Sequence, residues 1–203
     1  MTAVVIVVIV IVAIVVIMGL MTLGIYNGLI RSRVRTQEAW SGIDVQLKKR
    51  ADLVPNLVET VRGYAAHERG TFEAVTEARA RLQNATGPAE SAAANNQLTQ
   101  ALRSLFAVAE AYPQLRASEN FMALQAELTD IEEKIAYARQ FYNTNVSNFN
   151  QRIQVIPNVF LANMMGMQPF EFFEAEEEAR EAPRVSFQPQ PPQPPGPPQA
   201  PAQ

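Results

Sequence analysis

Few residues in this chain are equipped for chemistry. There is one histidine, His67, and no cysteine among 203 residues, so histidine metal clusters, thiolate ligands, disulfides and lipoprotein-type lipidation are excluded by composition. His67-Glu68 lacks the second histidine that a zincin helix needs, and beside Arg69 it reads as a residue on an exposed helix face. Near the C-terminus, Glu171, Glu174, Glu176, Glu177, Glu178 and Glu181 supply the oxygen donors that a hard cation such as Ca²⁺ takes. No glycine-turned loop organises them, and like charges in a run repel one another into solvent. No glycine-rich phosphate cradle is present either. The expectation is a protein that is not an enzyme, with no catalytic, cofactor-binding or metal-ligating residues.

The elements that would position any site begin with a charge-free run from Ala3 to Ile30, ended by Arg31, Arg33 and Arg35. At about 1.5 Å per residue this run exceeds the roughly 30 Å hydrocarbon core of a bilayer. A cleaved secretory signal fits poorly. The run is too long, no Lys or Arg precedes it, and no A-x-A site follows it. Residues 1–30 are therefore expected to be a transmembrane anchor held in the bilayer by residues 3–30. Because the basic residues follow the span, the positive-inside bias places the N-terminus outside and the rest in the cytoplasm of a single-pass cell-membrane protein.

Residues 31–175 read as one helical domain. Trp40, Ile43, Leu47, Val54, Leu57, Val61 and Tyr64 recur at alternating three-and-four spacing, interrupted by Arg50. Leu98, Leu102, Leu105, Ala109 and Tyr112 repeat the pattern, and so do Phe121, Leu124, Leu128, Ile131, Ile135, Ala138, Tyr142, Phe149 and Ile156, with Asn145 and Arg152 filling the missing steps. Breaks are expected at Asn84–Pro88 and at Tyr112–Ser118, where Ser118 is an N-cap candidate. A further break is expected near Pro55, whose ring clashes with the carbonyl of Ala51. If the chain reverses there, helices lie near 30–51, 54–84, 89–112 and 117–156. The rival is one kinked helix through Leu82. A reversal or sharp bend between Lys49 and Asn56, with Trp40 buried in the resulting core, is the expectation. The fold class is all-α: an N-terminal transmembrane helix, then an antiparallel up-and-down four-helix bundle. Residues 176–203 form an acidic and then Pro-rich tail, expected to be disordered because repeated proline removes backbone donors.

The stretch YNGLIRSRVRTQEAWSGIDVQLKKRADLVPNLVETVRGYAAHE, Tyr26 to Glu68, closely resembles the opening of the LemA family of bacterial membrane proteins. The likeness continues through YPQLRASENFMALQAEL, IAYARQFYNTNVSNFN and VIPNVFLANMMGMQPFEFFE. It spans nearly the whole chain apart from the early membrane run and the tail. The resemblance implies a single N-terminal anchor, an antiparallel four-helix bundle and no established biochemical activity.

Binding features outnumber chemical ones. Gly24 and Gly28 make a small-xxx-small step where two spans could approach, so a homo-oligomer is one expected partnership. Arg50, Asn145 and Arg152 stand at seam positions, either with their heads in water at the domain's edge or setting helix register, and the first is the expectation. Val155–Glu174, rich in Met and Phe, either caps the core or meets headgroups, and capping is favoured. A net charge of -3 with no coherent basic face argues against nucleic acid. The expected function is a non-enzymatic, membrane-anchored helical scaffold or adaptor that presents its domain to protein partners. The alternative is an accessory or regulatory subunit of a membrane enzyme such as a protease.

Overall fold

A computed structural model describes residues 1–173. The tail and the glutamates beyond Glu171 lie outside the described residues. Among the described residues every regular element is helical: α1 (Thr2–Arg62), α2 (Arg69–Asn84), α3 (Gly87–Glu110), α4 (Pro113–Arg116), α5 (Glu119–Arg152) and α6 (Asn158–Met164).

α1 carries both the charge-free apolar run and the first core helix without interruption, a rod on the order of 90 Å long at 1.5 Å per residue. From Val4 to Leu23 its large apolar side chains are exposed. Protein packing begins at Ile25 and Leu29. From there α1 lies against α5, and α2 packs on α3 and on α1. Gly28 meets Arg152, Thr36 meets Asn145, and Arg50 meets Glu132. As the α1 number rises the α5 number falls, so the two helices run antiparallel.

The expected reversal at Pro55 does not occur. Pro55 lies inside α1, and the chain turns instead at Gly63–Glu68. Two observations account for the difference. The buried face Leu47, Arg50, Ala51, Val54, Leu57, Val58 and Val61 runs unbroken through the proline. The Ala51 carbonyl, which loses its helical partner because Pro55 has no N–H, accepts a 2.7 Å hydrogen bond from Nε of Arg79 on α2. The true turn is pinned by Ala65, which is buried, and by the Arg62 guanidinium 5.4 Å from the Phe72 ring centre.

The other breaks fall within two residues of expectation. Gly87 takes a positive φ of 79°, which a side chain would strain. Thr86 donates from both N and Oγ1 to Glu90 Oε2, at 2.8 and 2.9 Å, half of a capping-box exchange. Those bonds hold the Glu90 carboxyl below its ordinary range. Ser118 occupies the N-cap position of α5, but its hydroxyl makes no cap bond. Trp40 is half-buried rather than buried, its ring 5.6 Å from Tyr142 and 6.2 Å from Phe173.

Candidate membrane-proximal site

A polar cleft opens where α1 leaves its bare apolar run. α1 supplies Arg31, Ser32 and Arg35 there, and the last turns of α5 supply Asn145, Asn148, Gln151 and Arg152. Together they line a cleft of about 550 Å³. The Arg152 Nη1 donates to the Gly28 carbonyl at 3.2 Å. Its Nη2 lies 3.5 Å from where a Cβ on Gly28 would stand. The Gly28 half of the small-xxx-small step is therefore covered by the chain's own arginine, while Gly24 stays open. Thr36, fully buried below the cleft, donates to Ser32 O at 3.0 Å and lies 3.4 Å from Asn145 O, coupling the two walls.

The segment after α5 closes this end in two ways. Its inner face, Ala162 and Met167, joins Leu29, Phe149 and Ile153 in a small second core, with Phe170 edge-on to Phe149 at 5.0 Å. Its outer face leaves Ile156 78%, Phe160 70% and Met164 78% exposed. The segment thus caps the core, as expected, while also exposing large apolar side chains.

Residues 170–173 then run extended back along α5, held by two asparagines one heptad apart. Asn150 donates to Phe170 O at 2.9 Å and accepts from Phe170 N at 2.8 Å. Asn143 repeats the exchange with Phe173, at 3.0 and 2.9 Å. Between them the Tyr142 hydroxyl donates to Glu171 O at 2.8 Å. Burial, with the Glu171 charge adding to it, pushes the Tyr142 pKa up to about 12. Sequence reasoning missed both clamps, because an amide that bonds backbone leaves no periodic signature.

Replacing Asn143 and Asn150 together by Ala should release this segment, since each change orphans a half-buried N–H and C=O at about 1–3 kcal/mol. Hydrogen exchange at Phe170 and Phe173 should accelerate while that of the α1 core does not. A raised pKa means that the Tyr142 contribution is intact below its ordinary value of 10.0 and is lost as pH climbs toward 12. The same amides should therefore open at alkaline pH. Unchanged protection in the double variant would disprove the clamp.

Mid-domain, the structure corrects the expectation for Arg50. Its side chain does not reach water but is 4% exposed, donating to Asn95 Oδ1 and Thr99 Oγ1 of α3 and pairing with Glu132 of α5 at 2.8 Å. Burial lowers its pKa and Glu132 raises it again. Arg152 does follow expectation, with its head exposed at the edge. His67 is exposed in the turn before α2, and Glu171 is exposed on the clamped segment. Among the described residues no group of His, Cys, Asp or Glu gathers as metal ligands would.

A family model described as the LemA family matches residues 39–187. The chain is 26% identical over 173 residues to Protein LemA of Metamycoplasma hominis, covering 79% of this chain and 78% of that protein. It is 26% identical over 187 residues to Magnetosome protein MamQ 2 of Paramagnetospirillum magneticum, covering 79% of this chain and 68% of that one. Magnetosome protein MamQ of Magnetospirillum gryphiswaldense is 25% identical over 187 residues, with the same coverage.

Proposed function

Since the chain belongs to the LemA family, we propose that it is a non-enzymatic, membrane-anchored helical scaffold or adaptor. In this reading residues 1–30 span the cell membrane with the N-terminus outside. Residues 31–175 form an antiparallel up-and-down bundle of four long helices in the cytoplasm, and the tail is a docking peptide for an aromatic-lined groove on a partner. The observation that carries the reading is the continuity of α1. One unbroken helix is both anchor and core element, so the domain stands rigidly at the bilayer instead of swinging on a linker. A groove of about 1060 Å³ beside α1 and α5 supports it, with Tyr137 and Phe141 exposed along the rim. Aromatic side chains of this kind are enriched in partner interfaces.

The accessory-subunit reading differs in one respect. A scaffold solubilised alone should self-associate, whereas a subunit should stay monomeric until its partner is present. Sedimentation of the purified full chain in detergent decides between them, and a strictly monomeric chain would count against the scaffold. For orientation, a cysteine replacing Thr2 should be labelled by an impermeant reagent on intact cells. One replacing Asn84, exposed at the end of α2, should be protected, and the reverse pattern would overturn the topology.

A further inference from the structure

We propose that the cleft between α1 and α5 at the foot of the domain binds the phosphate of an anionic phospholipid headgroup, in the leaflet on the domain's side. The proposal rests on the reading of the apolar run as a membrane span. It goes beyond an anchor by assigning a specific lipid site.

Three guanidiniums converge there, Arg31 and Arg35 from α1 and Arg152 from α5, with the amides of Asn148 and Gln151 beside them and no carboxylate in the lining. Among the described residues, none of the three arginines has a carboxylate within ion-pair distance. The positive-inside tendency accounts for basic residues that directly follow a span. It does not account for Arg152, which arrives from the far end of the domain and is seated against Gly28 by a hydrogen bond that uses only Nη1. The remaining N–H groups of its planar fork are suited to bidentate phosphate recognition.

Depth agrees with this chemistry. Arg31 and Arg35 are one helical turn, about 6 Å, apart, and the headgroup layer is roughly 5–7 Å deep on each side of the hydrocarbon. The charge-free run ends at Ile30, so with that end set at the hydrocarbon boundary the cleft falls in that layer. Val155 lines the cleft, and the segment that follows it exposes Ile156, Phe160 and Met164, apolar side chains of the kind that insert at the acyl boundary. A lone phosphate in solution would need the arginines but not those apolar side chains. A phospholipid uses both.

The test reconstitutes the full chain in nanodiscs of equal phosphatidylcholine and phosphatidylglycerol, then counts the lipids retained on the released protein by native mass spectrometry. Phosphatidylglycerol should be enriched over phosphatidylcholine. Arg152→Gln and, independently, Arg31→Gln should each cut that enrichment by about tenfold, the loss of one charge-assisted hydrogen bond to the phosphate. Arg33→Gln makes the same charge change outside the cleft and should leave enrichment near that of the parent chain. Equal losses from Arg33→Gln and Arg152→Gln, or no enrichment in the parent, would overturn the site. So would displacement of the lipid by inorganic phosphate, which would mark a soluble-anion site. Failure of the chain to resist alkaline extraction from vesicles would instead overturn the anchor reading, and the site with it.

Discussion

Replacing Arg79 by Ala should destabilise the folded domain by about 1–3 kcal/mol, the cost of orphaning a buried polar group, and replacing Pro55 by Ala as well should remove most of that cost. The coupling follows from one carbonyl. Ala51 sits one turn before Pro55 and would ordinarily accept from the N–H that proline lacks. Arg79 reaches across from α2 with Nε at 2.7 Å and takes the vacant place. An alanine at 55 restores the N–H, closes the helical bond and makes Arg79 dispensable. Pro55→Ala alone should be neutral or stabilising, since proline in a helix interior costs up to about 3 kcal/mol relative to alanine. Urea titration of the full chain in detergent, run on the parent, both single variants and the double, measures the coupling directly. Equal Arg79→Ala costs with and without Pro55 would show that the carbonyl is not the link.

The same position shows how far the sequence could be read. The stripe from Trp40 through Val61 keeps its spacing straight across Pro55, and every stripe position from Ile43 to Val61 is buried. Periodicity was the better guide there. The proline rule failed because it prices a lost local bond and cannot see a side chain arriving from a different helix. Gly63, the residue that does follow α1, is the local stop signal that the sequence holds there. The helices on either side of Asn84–Pro88 and Tyr112–Ser118 were legible because their breakers act locally.

The membrane-proximal cleft was legible only in part. Arg31 and Arg35 announce themselves by following the span, whereas the position of Arg152 opposite Gly28 depends on the register of α1 against α5. Seam spacing reveals that two helices pair but leaves their relative slide open, so a residue at the end of α5 could not be placed against the start of the domain. The asparagine clamps are harder still. Asn143 and Asn150 lie seven residues apart on a helix already explained by its apolar seam, and their partners are backbone atoms of a segment without regular structure.

Register is also the role that Arg50 fits best, and altering it should give a large effect for a single substitution. Arg50→Ala should cost about 2–4 kcal/mol, because it opens a cavity and leaves the buried Asn95 carbonyl without its donor. Glu132, with about half of its side chain in solvent, is rehydrated and adds little to the loss. Arg50→Met fills most of the space and should cost less, with the remaining penalty located at Asn95. Changing Arg50 to Met and Asn95 to Leu together removes both polar partners and should return the domain to near or above parental stability. What the guanidinium supplies is a fixed point at which α1, α3 and α5 can meet in one alignment only, where an all-apolar seam would tolerate a slide. The Met/Leu variant should therefore be stable yet lose slow hydrogen exchange along α5. A stable variant with parental exchange would show that the apolar seam sets register by itself, and an Arg50→Ala cost below about 1 kcal/mol would show that the buried network carries no structural weight.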